Sequence, residues 1–274
     1  MEVAVRTAHE LADLDAARAL CDAVWPSPTE GTQVTGNLLR AIEHAGGHVG
    51  VAYDEDGELI GATVALIGRH REGGEWRTHL HSHMAAVAHH ARDQHVGSAL
   101  KQHQRAWCLA NDIDEIWWTF DPLVRRNARL NLVRLGADVT DYLPDFYGSM
   151  DDTVNAGDRS DRLLARWRLR STRALEAAAG LLAPLSTEQL RASGAVDALY
   201  IRRGLPQIAD PAPRPDEVLL VPLPPDITII RALDADLALR WRLGVRSVLG
   251  SALTAGRPIV GVSDEGHYVL GPTP

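Results

Sequence analysis

The stretch from Leu80 to Ala110, LHSHMAAVAHHARDQHVGSALKQHQRAWCLA, decides the fold. Up to Val87 it predicts a buried strand on which three histidines share one face: His79, His81 and His83. Residues 88–95 contain no apolar run and predict a polar turn. Bulky residues then recur near a 3.6-residue period and predict an amphipathic helix: Val96, Leu100, His103, Trp107 and Ala110. A helix start of this kind leaves free N–H groups that suit a phosphate.

The turn and the helix start resemble a known motif. The run Arg92-Asp93-Gln94-His95-Val96-Gly97-Ser98-Ala99-Leu100 is similar to the acyl-CoA motif Arg/Gln-x-x-Gly-x-Gly/Ala of the GNAT N-acetyltransferases. Arg92 and Gly97 match this motif, whereas His95 stands where its first glycine belongs. His95 keeps a backbone N–H but loses the freedom of glycine to approach closely at an unusual φ. Asp93 adds a carboxylate near the expected pyrophosphate.

The resemblance implies that acetyl-CoA or another acyl-CoA is the cosubstrate. On the following helix, Asn127 resembles the asparagine that contacts the pantetheine arm, with a helix-surface role as the alternative. The residues expected to bind the cosubstrate are Ala86, Val87, Arg92, Gln94, His95, Val96, Gly97, Ser98, Ala99 and Asn127.

The order of predicted elements agrees with the GNAT fold, an α+β (α/β) class with a mixed, mostly antiparallel sheet flanked by helices. A capping box at Thr7-x-x-Glu10 predicts the first helix. Further helices are predicted over 35–45 and 124–135, with Gly136 ending the last of these. Strands are predicted over 3–6, 48–53, 59–68, 81–87, 115–120, 137–142 and 163–169, with loops at 69–76 and 144–161.

The sequence predicts a boundary near residue 170. Residues 1–170 are expected to form the GNAT acyltransferase domain, and 171–274 an accessory C-terminal region of unknown function. In that region the pattern predicts helical structure over 171–204, a proline-rich connector over 206–225 and a helix over 233–253. Short strands are expected at 218–221, 259–262 and 268–270, and they could extend the first sheet.

Attack of an amine on a thioester requires a base, because an alkylamine has a pKa near ~10. His81 and His83 fit this role, and their spacing resembles the histidine pair of the serotonin N-acetyltransferases within the family. The alternative is that each is a strand histidine satisfied by hydrogen bonds. A zinc site built from His79, His81 and His83 is a weaker alternative, and we expect no metal.

The usual GNAT acid is a tyrosine at a position that Leu132 occupies here. Tyr147 is therefore the candidate acid from the following loop, with Tyr142, or the use of no acid, as the alternatives. The strings TFDPLVRRNARLN, YLPDFYG and NAGDRSDRL resemble a bacterial GNAT subgroup with a C-terminal extension, some members of which are associated with N-succinylation of amino acids. Arg125 and Arg162 are the candidate carboxylate ligands, with an ion pair between Asp161 and Arg162 as the alternative.

Composition limits the class of protein. A net charge of −8 over 274 residues argues against nucleic acid or an anionic membrane as the main partner. No apolar run is long enough for a membrane span, and two distant cysteines make no disulfide framework. We therefore expect a cytoplasmic protein that acts on a small-molecule amine or an amino acid, with a homodimer left open. The other hypothesis is a degenerate GNAT module that binds CoA or a partner without catalysis.

Overall fold

The computed structural model describes residues 3–26, 31–148, 158–209 and 214–273. Their Cα positions form two compact units. The first comprises the described residues of Met1–Trp118 with Arg168–Arg170. The second comprises those of Thr119–Met150, Val154–Trp167 and Ser171–Pro274. The two units are defined by how their residues pack, which does not show that either folds independently. The domain boundary near residue 170 therefore remains a prediction.

The first unit is a sheet with helices on both of its faces. Its strands are hydrogen-bonded in the order β1-β2-β3-β4-β5, and only the β4–β5 pair is parallel. The strands are β1 (Ala4–Thr7), β2 (His48–Tyr53), β3 (Leu59–Glu72), β4 (Glu75–Val87) and β5 (Glu115–Phe120), whose last two residues belong to the second unit. The helices are α1 (Leu11–Val24), α2 (Gly36–His44) and α3 (Val96–Ala110). The predicted mixed, mostly antiparallel sheet flanked by helices is confirmed.

The two faces of the sheet bury different helices. Val49 and Val51 of β2 belong to the apolar cluster that also holds α1 and α2, whereas Ala52 belongs to the cluster that holds Val96 and Leu100 of α3. This alternation is what a strand buried on both sides requires. Gly61 of β3 leaves room for α3, since a Cβ there would lie 2.8 Å from Val96 Cγ1.

Two local predictions in this unit are wrong. Thr7 is the last residue of β1 and pairs with Gly50, and α1 begins after Glu10 with no side-chain hydrogen bond at its cap. The expected loop over 69–76 is a continuation of β3 and β4 as a hairpin with Gly73-Gly74 at its tip. Both glycines have positive φ, as the tightest hairpin turns require. The hairpin is exposed, so its strands lack the apolar alternation that would have indicated them.

The second unit contains the described residues of the C-terminal third. It begins with α4 (Arg125–Arg129), a π-helical turn (Leu130–Arg134), β6 (Asp138–Leu143) and β7 (Arg162–Arg168), which pairs antiparallel with β6. The later helices are α5 (Thr172–Ala178), α6 (Thr187–Ala192), α7 (Ile227–Leu233) and α8 (Ala235–Thr254). The later strands are β8 (Val196–Asp197), β9 (Leu199–Arg202), β10 (Leu205–Ile208), β11 (Leu219–Pro222), β12 (Ile259–Val262) and β13 (His267–Leu270).

The C-terminal third departs from its prediction in two ways. Residues 196–202, predicted to be helical, form β8 and β9, and β9 joins β10 at the start of the predicted connector as a hairpin. β12, β13, β11 and β8 form a four-stranded sheet of their own and do not extend the first sheet. The predicted helix around Trp241 and the closing hairpin are confirmed as α8 and β12–β13. Part of the predicted loop (149–157) and part of the connector (210–213) lie outside the described residues. Among the described helices, none is long and apolar enough to cross a membrane.

Candidate active site

The sheet opens beside β4. β4 pairs with β5 at Leu80↔Ile116 and His81↔Trp117, and β4 then continues to Val87. On its other side, β4 pairs with β3 at Ala65↔Ser82 and Val64↔Met84, so His83 is an extra, bulged residue. A bulge bends a strand and redirects a side chain, and bulges are common beside active sites. The fourth and fifth strands therefore separate after His81.

His81 and His83 lie together at this opening. Their ring centroids are 6.0 Å apart, and the rings are inclined by 32°. Burial lowers the pKa of both imidazoles, and the nearby His83 and Lys101 lower that of His81 further. Both rings are therefore neutral near pH 7 and able to accept a proton. Their use as a base remains a prediction.

His79 has a different environment from the other two histidines. It is buried, its ring stacks on Trp117 at 4.5 Å, and its Nδ1 lies 3.2 Å from His70 Nδ1. Among the described residues, the metal-ligand atoms that lie within 4.8 Å of one another belong to Asp54, Glu58 and His90. The three histidines of β4 therefore do not form the zinc-like cluster that the sequence left open.

The start of α3 provides main-chain donors. The first helical bond runs from the Ala99 N–H to the His95 carbonyl, so the N–H groups of Val96, Gly97 and Ser98 precede it. His95 is the N-cap with φ 64°, and Asp93 has φ 62°. The backbone at the first glycine position of the motif thus keeps the left-handed conformation that glycine would adopt. A histidine there costs about 1 kcal/mol in backbone strain.

Gly97 leaves space on the surface of this helix turn. A Cβ at Gly97 would have one neighbour within 4 Å, Val87 Cγ2 at 3.9 Å, which is ordinary contact. The protein's own packing therefore does not require glycine at this position. This space, three main-chain donors and Arg92 in the preceding turn are the features that would hold a pyrophosphate.

The helix after β5 offers no acid at the usual position. Leu132 is 1% exposed in the π-helical turn, and Gly136 ends the segment with φ 68°, as predicted. Asn127 is half-buried in α4, and its N–H donates to the Val124 carbonyl. Its role in binding the cosubstrate remains a prediction.

The candidate acid and the candidate arginines have distinct neighbours. The Tyr147 hydroxyl lies 3.0 Å from Thr119 Oγ1 of β5, and the Arg162 guanidinium lies 5.2 Å from the centre of the Tyr147 ring. Arg162 donates to the main-chain carbonyl of Asp161. Arg125 instead donates to the main-chain carbonyl of Asp264. The structure therefore brings Tyr147 and Arg162 together, and it places Arg125 in other contacts.

Arg246 of α8, rather than Arg162, is the arginine paired with the Asp161 carboxylate. Its Nε donates to Asp161 Oδ2 at 2.8 Å, and the Tyr142 hydroxyl donates to the same oxygen at 2.6 Å. Burial and this hydrogen bond raise the pKa of Tyr142. Tyr142 is thus a poor acid, which leaves Tyr147 as the candidate.

A buried charge cluster was missed by the sequence analysis. The Asp121 carboxylate is 7% exposed and accepts from Arg231 and from both Nη atoms of Arg242, at 2.7 and 2.9 Å. The same two arginines also bind Asp158. These contacts overcome burial and lower the pKa of Asp121. Asp121, which follows β5 directly, is therefore held as a carboxylate and is not available as a base.

Comparison with known proteins identifies a family for part of the chain. Residues 15–136 match the acetyltransferase (GNAT) family. No curated protein sequence matches the chain. Among solved structures, Naa20 of Chaetomium thermophilum in complex with a bisubstrate analogue is 18% identical, with a TM-score of 0.47, over 63% of this chain and 89% of that chain.

Two bacterial structures are similar to the chain to the same degree. A phosphinothricin acetyltransferase from Sinorhizobium meliloti in complex with AcCoA is 18% identical, with a TM-score of 0.47, over 61% of this chain and 88% of that chain. An N-acetyltransferase from Staphylococcus aureus Mu50 is 16% identical, with a TM-score of 0.48, over 62% of this chain and 100% of that chain. The family match, which agrees with the order of strands and helices there, assigns residues 15–136 to the GNAT acetyltransferase family.

Proposed function

We propose that this protein is an acyl-CoA-dependent N-acyltransferase that acts on the amine of a small molecule or an amino acid. The observation that carries the proposal is the end of the β4–β5 ladder at His81, followed at once by the bulge at His83. Two neutral imidazoles lie at this opening, and β4 leads directly to the free amides of α3. A base and an anion site on one strand–turn–helix are what direct transfer from a thioester needs.

Acyl-CoA, as the cosubstrate, supplies an acyl group on a thiol leaving group. The residues proposed to hold it are the amides of 96–98 with Arg92, and Asn127 for the pantetheine arm. His83 accepts the proton of the attacking amine, and His81 assists the transfer. The β4 edge beyond His81, no longer paired with β5, presents main-chain groups that can stabilise the developing oxyanion.

The acceptor pocket is proposed to include Tyr147 and Arg162. Arg162 suits a carboxylate on the acceptor or on a succinyl group, because a guanidinium binds carboxylates through two donors. Tyr147 is the acid candidate, since the usual position holds the buried Leu132. We expect acetyl to be the transferred group, with succinyl as the alternative.

Release of CoA thiol tests the function directly. The purified protein is incubated with acetyl-CoA or succinyl-CoA and a panel of amino acids and small amines, and free thiol is followed with time. Amine-dependent release supports the proposal. The contrary result is measurable CoA binding with no release for any amine. That result favours a non-catalytic CoA-binding module. Two features support this alternative: the buried Leu132 at the acid position and the carboxylate of Asp93 in the turn.

Replacing Gly97 by leucine is expected to weaken CoA binding about 100-fold, equivalent to about 2.7 kcal/mol. The side chain would fill the space above the free amides, whereas the protein's own packing tolerates a Cβ there. Leucine is also a better helix former than glycine, so thermal stability should not fall. Titration calorimetry with CoA measures the first effect, and thermal melting measures the second.

Gly250 offers a matched control for this variant, because it is also helical and has no atom within 4 Å of an added Cβ. Gly250→Leu should leave CoA affinity unchanged. If Gly97→Leu and wild type bind CoA with equal affinity, the cosubstrate does not bind at the start of α3.

A further inference from the structure

Lys101 is a buried lysine whose hydrogen-bond partner is a β4 serine. It is 4% exposed, its Nζ donates to Ser82 Oγ at 2.7 Å, and it lies 4.1 Å from the centre of the Trp118 ring. Ser82 in turn donates to Gln104 Oε1 at 3.0 Å. Burying an amine and a serine in this way is costly unless both groups are bonded. The lysine therefore occupies a specific polar site between α3 and β4.

No carboxylate compensates Lys101 among the described residues. The titratable groups that face it are Cys108 on its own helix, His81 on β4 and His48 on β2. On β5 it meets the uncharged face of Trp118. Burial lowers the pKa of Lys101 to about 7, so below that pH it is a cation. The positive charge of Lys101 therefore acts mainly on the rings of His81 and His48.

Ser82 is at the point where the sheet changes. It forms the last regular pair with Ala65 before the bulge, and it lies between His81 and His83. Because the register of a strand can slip, an interaction is needed that determines which residue is bulged. The bond from Lys101 to Ser82 holds Ser82 against α3 and so leaves His83 as the bulged residue.

We propose that Lys101 is a positioning residue, which fixes the bulge at His83 through its hydrogen bond to Ser82 and acts through its charge on the ring of His81. The inference rests on the proposed function, because it concerns the same pair of histidines. It predicts effects that a residue needed only for packing would not produce.

Titration of the histidine rings by NMR tests the charge without any substrate. Lys101→Met keeps the length and the apolar stem of the side chain and removes the cation. The pKa of His81 should rise on the order of 0.5, because the neighbouring positive charge that disfavoured protonation is gone. His103→Gln, on the same helix and paired with His48 instead, should leave the titration of His81 unchanged. An unchanged His81 in Lys101→Met would overturn the charge effect.

Kinetics test the positioning. Lys101→Met should lower kcat about tenfold, move the acidic limb of the pH profile upward and leave the KM for acyl-CoA unchanged. Ser82→Ala should lower kcat without moving the limb, since the charge remains, and Ser82→Thr should restore kcat. Wild-type kcat in both Lys101→Met and Ser82→Ala would overturn the positioning role. Absence of turnover in the wild type would sink the proposed function, and the NMR titration would still decide the coupling of Lys101 to His81.

Discussion

Replacing His83 by alanine, alone or together with His81, is expected to lower kcat/KM by about 10²–10⁴-fold, the usual contribution of a positioned base. The reason is the place of the two rings, at the opening of the sheet and 6.0 Å apart. Affinity for CoA should not change, since the amides of α3 are untouched. Initial rates at varied amine concentration measure the loss, and calorimetry measures the affinity.

The pH profile gives an independent reading of the same prediction. Burial lowers the pKa of both imidazoles, so the neutral, accepting form persists below the ordinary histidine value of about 6.5. The rate should fall as the pH drops through the lowered value, and the variants should lose this acidic limb. The exposed His44 at the end of α2 is a suitable control, and His44→Ala should match the wild type. Wild-type rates and pH dependence in the double variant would make both histidines structural and leave solvent as the base.

The strand–turn–helix at the centre of the chain could be predicted from the sequence. β4 ends at Val87 and α3 begins at Val96, where the apolar pattern placed them. Both signals are local: alternation in the strand and a 3.6-residue period in the helix. Even the departure from glycine at His95 could be located, although only the structure shows that the backbone keeps a positive φ there.

Other parts could not be predicted because they depend on distant residues. Thr7 has the sequence of a helix cap, but pairing with Gly50 places it in a strand. Lys101 and Ser82 are 19 residues apart, and neither resembles a core residue until the helix packs on the strand. The serine–lysine contact could have been found only as a lysine one position from the apolar stripe of the helix, which is a weak signal.

Arg242 illustrates the same limit at a larger separation. Its side chain is fully buried, although the sequence shows it as an ordinary charged residue beside Trp241 on a helix. Its partner Asp121 lies 121 positions earlier in the chain. A buried arginine is stable only with such a partner, and nothing in the local pattern indicates which carboxylate it is.

Replacing Asp121 by asparagine is expected to lower the free energy of unfolding by about 3–5 kcal/mol. The carboxylate accepts from Arg231, from both Nη atoms of Arg242 and from the Leu123 N–H at 2.8 Å. Asparagine keeps the shape but leaves two buried guanidinium groups with Asp158 as their remaining charged partner. For a chain of this size the loss corresponds to a decrease in Tm of about 10 °C.

The charge network also has a pH dependence with a definite sign. The pKa of Asp121 is lowered in the folded state, so its contribution is present above the unfolded aspartate value of about 3.9 and is lost as the pH falls towards the folded value. Denaturant melts of wild type and Asp121→Asn should therefore differ most near neutral pH and converge in acid. The exposed pair of Asp216 with Arg214 gives the control, since Asp216→Asn should cost less than about 0.5 kcal/mol.

A double-mutant cycle separates the ion pair from the rest of the site. The double variant Asp121→Asn/Arg242→Met should lose less free energy of unfolding than the sum of the two single variants, because the charge that Asp121 compensated is gone. Additive losses would mean that Asp121 and Arg242 are not energetically coupled. An Asp121→Asn protein as stable as the Asp216→Asn control would mean that the buried network does not stabilise the second unit. A coupling of 0.5 to about 3 kcal/mol is expected for side chains joined by two hydrogen bonds in one buried cluster.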